Sequence, residues 1–156
     1  MSVLAAIRPD DWNFALLLHV LGAMLLVGGL TGSVTALWVG WPGNSITLSR
    51  LGFRTLLFVA FPAWWLMRIA GQWIGSKEGL GEGDEDPAWL VIGYITAELG
   101  GLLILISIIL IGIGVRRMGR GEIPRPSLLV RIGTVLVSIV LAAYIVAVWA
   151  MSTKPD

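Results

Sequence analysis

The stretch AWLVIGYITAELGGLLILISIILIGIGV, residues 88–115, is too long and too apolar to belong to a soluble domain. Its one charged side chain is Glu98, and it exceeds the roughly 20 apolar residues needed to cross a hydrocarbon layer ~30 Å thick. On either side of it, residues 12–39, 51–74 and 128–151 meet the same requirement. Backbone N–H and C=O groups find no water inside lipid, so each span must be helical. The two-residue alternation of a membrane barrel is missing. The sequence therefore predicts an all-α, integral membrane protein, one domain built as an antiparallel bundle of four transmembrane helices.

Composition agrees. Of 156 residues, 56% are hydrophobic and only 13% charged, with a mean hydropathy of +0.86. Soluble domains carry about a quarter charged residues. The chain has no cysteine, which excludes disulfide frameworks, thiolate metal sites and iron–sulfur clusters. The single histidine, His19, excludes a zinc or copper centre made from several histidines of one chain. No Walker loop, G-x-S-x-G elbow or pair of catalytic carboxylates is present. These features lean away from an enzyme.

Helix boundaries can be read from the breakers. Asp10 and Asp11 after Pro9 offer a cap for the first helix, and Asp86 followed by Pro87 offers one for the third. Gly75 is expected to end the second helix, and Gly119 or Gly121 the third. Pro62, inside the second span, removes a backbone donor and predicts a kink.

Charge sets direction. The first linker carries Arg50 and Arg54, and the third carries Arg116, Arg117, Arg120, Arg125 and Arg131. The middle linker has Lys77 against Glu78, Glu82, Asp84, Glu85 and Asp86. Positive residues stay cytoplasmic. The chain is thus expected in the cell (inner or plasma) membrane, with the acidic loop and both termini outside. Trp12, Trp73, Trp89 and Trp149 would mark the outer helix ends, and Trp38 and Trp41 the inner end of the first helix, as an aromatic belt does.

Apart from Arg54 and Arg131, close to the linkers, three chargeable residues fall deep within the spans, where charge is costly and tends to mark function: His19, Arg68 and Glu98. At 1.5 Å per residue they lie about 10, 10 and 15 Å from the outer helix ends. Gln72 stands four residues from Arg68, and Tyr94 four from Glu98, so each pair shares a helix face. Tyr144 lies level with His19. The expectation is one outward-facing polar pocket inside the bundle that binds a small ligand or ion. His19, Arg68 and Glu98 would be its polar groups, supported by Gln72, Tyr94 and Tyr144, with Arg68 paired to Glu98. The competing expectation is a structural or assembly subunit, in which that pair only clamps two helices and His19 only packs.

Trp64 and Trp65 lie too deep for a belt and are expected to fill space beside Pro62 or face lipid. Trp64 is four residues before Arg68, which also offers a cation–π contact. Ala15, Gly22, Gly29 and Ala36 recur every seven positions, with Gly28, Gly32 and Ser33 beside them. Such a stripe permits close helix contact, within the bundle or in a homo-oligomer. The arginines of the third linker suit anionic headgroups of the lipid bilayer, and no module for nucleic acid accompanies them.

The run Leu18-His19-Val20-Leu21-Gly22-Ala23-Met24-Leu25-Leu26-Val27-Gly28-Gly29-Leu30 resembles the first helix of copper-resistance D-like proteins. It also resembles that of an uncharacterised bacterial four-span family of predicted integral membrane proteins. The ending Met151-Ser152-Thr153-Lys154-Pro155 is similar to the Lys-Pro tail of the latter. The resemblance implies that His19 carries over as a metal or haem ligand, with copper or haem b as cofactor, in a membrane redox protein. The chain departs from a di-haem cytochrome by lacking three further histidines. A His19 site would need Met67, Met24 or Met151, a second subunit, or an open coordination position.

Overall fold

A computed structural model describes residues 10–78, 88–121 and 128–153. Every regular element among them is helical: α1 (Asp10–Gly40), α2 (Ile46–Thr55), a π turn (Leu56–Ala60), α3 (Phe61–Glu78), α4 (Ala88–Gly119) and α5 (Leu128–Thr153). Because α2, the π turn and α3 are continuous, these elements make four helices, each long and apolar enough to cross a membrane. At 1.5 Å per residue, the 31 residues of α1 reach about 46 Å and the 26 of α5 about 39 Å, both beyond the ~30 Å hydrocarbon thickness.

The bundle is antiparallel, as the facing residues show. Along α1 and the second span, Gly22 meets Met67, Gly29 meets Ala60 and Leu37 meets Gly52. Along α4 and α5, Gly93 meets Met151, Gly100 meets Tyr144 and Ile111 meets Gly133. In both pairs numbering rises on one helix as it falls on the other. Leu26, Leu30, Leu56, Ile104, Ile111, Val137 and Val140 fill the centre. Lipid tails are as apolar as leucine, so close packing rather than water exclusion must hold these helices together.

The small-residue stripe of α1 supplies that packing. A Cβ on Gly22 would stand 2.6 Å from the Met67 backbone nitrogen, and one on Gly29 would stand 3.0 Å from that of Ala60. Ala15 and Ala36 are buried as well. The stripe is thus occupied within the chain, where it brings α1 against the second span. Beside it, Ser33 donates to the Gly52 carbonyl at 2.9 Å, tying α1 to α2. Gly28 has open space around it on the outer face.

The second span differs from expectation at both ends. The helix begins at Ile46 rather than near Leu51, because the Ser45 hydroxyl accepts the Leu48 N–H at 3.3 Å and caps it. Arg50 and Arg54 therefore sit on a helix instead of in a linker. Gly75 does not stop the helix, which runs on to Glu78. Pro62 has no N–H for the Phe58 carbonyl, and the helix shows its irregularity one turn earlier. There the Phe61 N–H reaches back five residues to Leu56 O, closing the π turn. α4 ends as expected, with Gly121 in the left-handed region at φ 72°. The Asp86–Pro87 start lies outside the described residues.

The tryptophan belt is visible where it is described. Trp73 and Trp149 are exposed at one end of the bundle. At the other end Trp38 stacks on Trp41 at 4.9 Å and donates to Ser138 at 3.0 Å, while Arg131 lies 5.1 Å above the Trp41 ring. The side chains of Trp12 and Trp89 lie outside the described residues.

Candidate functional site

α1, α3, α4 and α5 enclose a cavity of about 240 Å³ in the half of the bundle nearer the chain termini. Its wall is mainly apolar, running from Leu90 and Met151 near the helix ends down to Leu26 and Val27. Into this wall are set His19 from α1, Arg68 from α3, Tyr94 from α4 and Tyr144 from α5. Four of the six site residues expected from sequence thus converge on one cavity, each from a different helix.

Glycines make the room. Met67, Gly71 and Gly75 follow one another at four-residue spacing along the cavity face of α3. A Cβ on Gly71 would come within 3.0 Å of the His19 ring, and one on Gly75 within 3.2 Å of the Tyr94 hydroxyl. Across the cavity, Gly93 and Gly100 on α4 receive Met151 and the Tyr144 ring. The seven-residue spacing of Gly93 and Gly100 was the available sequence signal for this contact, and it was missed.

His19 Nδ1 lies 3.0 Å from the Met67 carbonyl oxygen. A carbonyl only accepts, so Nδ1 carries a proton, and in the uncharged tautomer with this contact the lone pair is on Nε2. Tyr144 is 4% exposed and its hydroxyl has no hydrogen-bond partner. The nearby Trp64 indole N–H is already given to the Ala97 carbonyl at 2.9 Å. An orphaned buried hydroxyl in native structures commonly marks an unfilled position for water or a ligand group.

Glu98 and Gln72 stand apart from the cavity and hold Arg68 from the bundle's outer face. Arg68 Nε donates to Glu98 Oε1 at 2.8 Å, and Nη2 donates to the same oxygen. With its amide oxygen toward the guanidinium, Gln72 accepts from Nη1 at 2.9 Å and Nη2 at 3.0 Å. The Tyr94 ring completes the surround, its centroid 5.9 Å from Arg68 Cζ. Arg68 is 15% exposed and Glu98 59%. Centring each helix on the hydrocarbon places His19 and Arg68 about 6 Å inside its boundary, Glu98 about 7 Å and Tyr144 about 10 Å.

The cation–π partner of Arg68 is therefore Tyr94 and not Trp64. Trp64 lies instead over Gly101, where a Cβ would stand 2.2 Å from its ring, and stacks on Phe61 at 6.0 Å. Trp65 is half exposed on the outer face. Among the described residues no group of three or more His, Cys, Asp or Glu could hold a metal ion. Met67 and Met151 share the cavity with His19, whereas Met24 is 69% exposed and points away. Comparison with protein-family models, curated proteins and solved structures finds no match to this chain.

Proposed function

We propose that this protein binds a small, mainly apolar molecule with a polar end in the cavity between α1, α3, α4 and α5. The observation that carries the reading is Tyr144, buried with its hydroxyl unpartnered, on the same cavity wall as His19, whose Nε2 can accept in the uncharged tautomer. One can donate and the other accept, so a ligand hydroxyl or carboxyl group could satisfy both. The volume suits a molecule below drug size. The arginines at the opposite end support an orientation with this cavity toward the outside of a cell membrane. Self-association would have the Gly28 side of α1 open to it, since the rest of the stripe is covered.

The test is mass spectrometry of small molecules extracted from purified protein, comparing wild type with Ala147→Phe and Tyr144→Phe. Ala147 is 6% exposed on the cavity wall, so a phenyl ring there fills the space. A co-purifying molecule is expected in wild type and absent from Ala147→Phe. Tyr144→Phe should weaken binding about tenfold, the value of one hydrogen bond in a dry site. If the cavity binds nothing, Tyr144→Phe should instead stabilise the protein by about 1 kcal/mol, because it removes an unsatisfied hydroxyl. Identical extracts from wild type and Ala147→Phe would reject the binding reading.

One observation favours a second reading. Nδ1–H held on a carbonyl is the arrangement of histidines that bind metal through Nε2, and Met67 and Met151 line the same space. That donor set suits monovalent copper, which soft sulfur ligands favour. A haem fits less well, because the chain has one histidine and the cavity is about 240 Å³. Elemental analysis and an absorption spectrum of purified protein decide it. Near-stoichiometric copper lost in His19→Ala supports this reading, and colourless, metal-free wild type rejects it.

A further inference from the structure

At the end of the bundle opposite the cavity, a groove of about 640 Å³ lies between α2 and α4. Phe53, Ile109, Gly112 and Ile113 form its apolar floor, and Arg50 and Arg116 stand at its rim with Arg120 beside them. The groove exists because two glycines seven residues apart clear one face of α4. A Cβ on Gly112 would stand 3.0 Å from Phe53 Cε2, and one on Gly119 would stand 2.8 Å from Arg50 Nη2. Arg50 thus reaches from α2 across the last turn of α4, on the groove that Arg116 also lines.

Depth separates the two parts of this groove. Centring each helix on the hydrocarbon puts Arg50 and Arg116 both about 3–4 Å beyond its edge, at headgroup level. Phe53, Ile109 and Gly112 fall inside the hydrocarbon on the same count. Among the residues whose side chains are described no carboxylate stands at this end, Glu98 lying in the other half. Glu122 follows Gly121 outside the described residues.

We propose that this groove is a binding site for one anionic phospholipid, its phosphate held between Arg50 and Arg116 and an acyl chain lying on the floor from Phe53 to Ile109. Each of the two helices sets an arginine on the groove at headgroup level, and guanidinium is suited to phosphate geometry. A free anion would use the rim and leave the apolar floor uncovered. A lipid uses both.

The test is native mass spectrometry of the full chain in detergent, titrated with phosphatidylglycerol and with phosphatidylcholine of the same acyl chains. Phosphatidylglycerol should bind about tenfold more tightly. Arg50→Gln with Arg116→Gln should bring the two lipids within about twofold, while Arg54→Gln with Arg117→Gln, equal charge removed outside the groove, keeps the preference. Gly112→Leu fills the floor at Phe53 and should weaken phosphatidylglycerol about fivefold with the arginines intact. Arg50→Lys with Arg116→Lys should restore part of the preference lost in the glutamine pair, and circular dichroism establishes that each variant is helical. The proposal fails if the two lipids bind equally, or if both arginine pairs matter alike. It fails also if Gly112→Leu has no effect, or if millimolar inorganic phosphate displaces the lipid.

Discussion

Gly22→Ala is expected to destabilise the bundle by about 1–3 kcal/mol, and Gly22→Val by more, in unfolding by denaturing detergent followed by tryptophan fluorescence. The reason is what the added carbon meets. It would stand 2.6 Å from the Met67 nitrogen and 2.9 Å from its Cα, and backbone cannot rotate away as a side chain can. α1 and α3 must separate, and in lipid no water-driven force draws them back. The damage should reach the cavity, because the His19–Met67 hydrogen bond spans the same two helices less than one turn away. Gly28→Ala is the control, with nothing within 4 Å of its Cβ, and should be close to neutral. Equal effects of the two replacements would mean that the stripe does not set the helix spacing.

The spans were legible because lipid imposes a rule that sequence alone can satisfy: about 20 apolar residues, with every backbone group bonded inside a helix. Depth was legible for a related reason, since rise per residue is constant and alternate helices run in opposite directions. That is why His19, Arg68, Glu98 and Tyr144 could be placed at similar levels from their numbers alone. Rotation about the helix axis was not legible. One residue turns a side chain by about 100°, so Ala97 lines the cavity while Glu98 beside it is 59% exposed on the outer face. The same ambiguity assigned Trp64 to Arg68, when its ring packs over Gly101. The early start of α2 was hidden because Arg50 and Arg54 read as linker charges. At a helix end they can be carried on the helix with their guanidinium groups at headgroup level. The π turn had only Pro62 to announce it, and proline tells that a backbone bond is lost without telling how the helix rearranges.

Removing Arg68 should cost about twice as much as removing its partner. Arg68 is 15% exposed and is held by Glu98, by Gln72 and by the Tyr94 ring. In Glu98→Gln the guanidinium keeps two of these neighbours and gains a neutral amide, so a loss of about 1 kcal/mol is expected, near that of an exposed ion pair. In Arg68→Gln the carboxylate of Glu98 is left on the outer face about 7 Å inside the hydrocarbon, with no cation among its described contacts. An unpaired charge inside a membrane costs about 2.5–3.5 kcal/mol by insertion scales, less whatever snorkelling recovers. About 2 kcal/mol is therefore expected for Arg68→Gln, and Arg68→Gln with Glu98→Gln should recover more than half of it. The same detergent-unfolding series measures all three variants, and similar losses for the two single replacements would refute the asymmetry. Ligand extraction on these variants then separates a clamp from a cavity wall. A pair that only joins α3 to α4 can be exchanged as Arg68→Glu with Glu98→Arg without changing what the cavity holds. A side chain that lines the cavity from α3 cannot be moved to position 98, whose side chain lies outside it. Because Arg68 lines the cavity and Glu98 does not, the exchanged protein should remain folded and lose its co-purifying molecule.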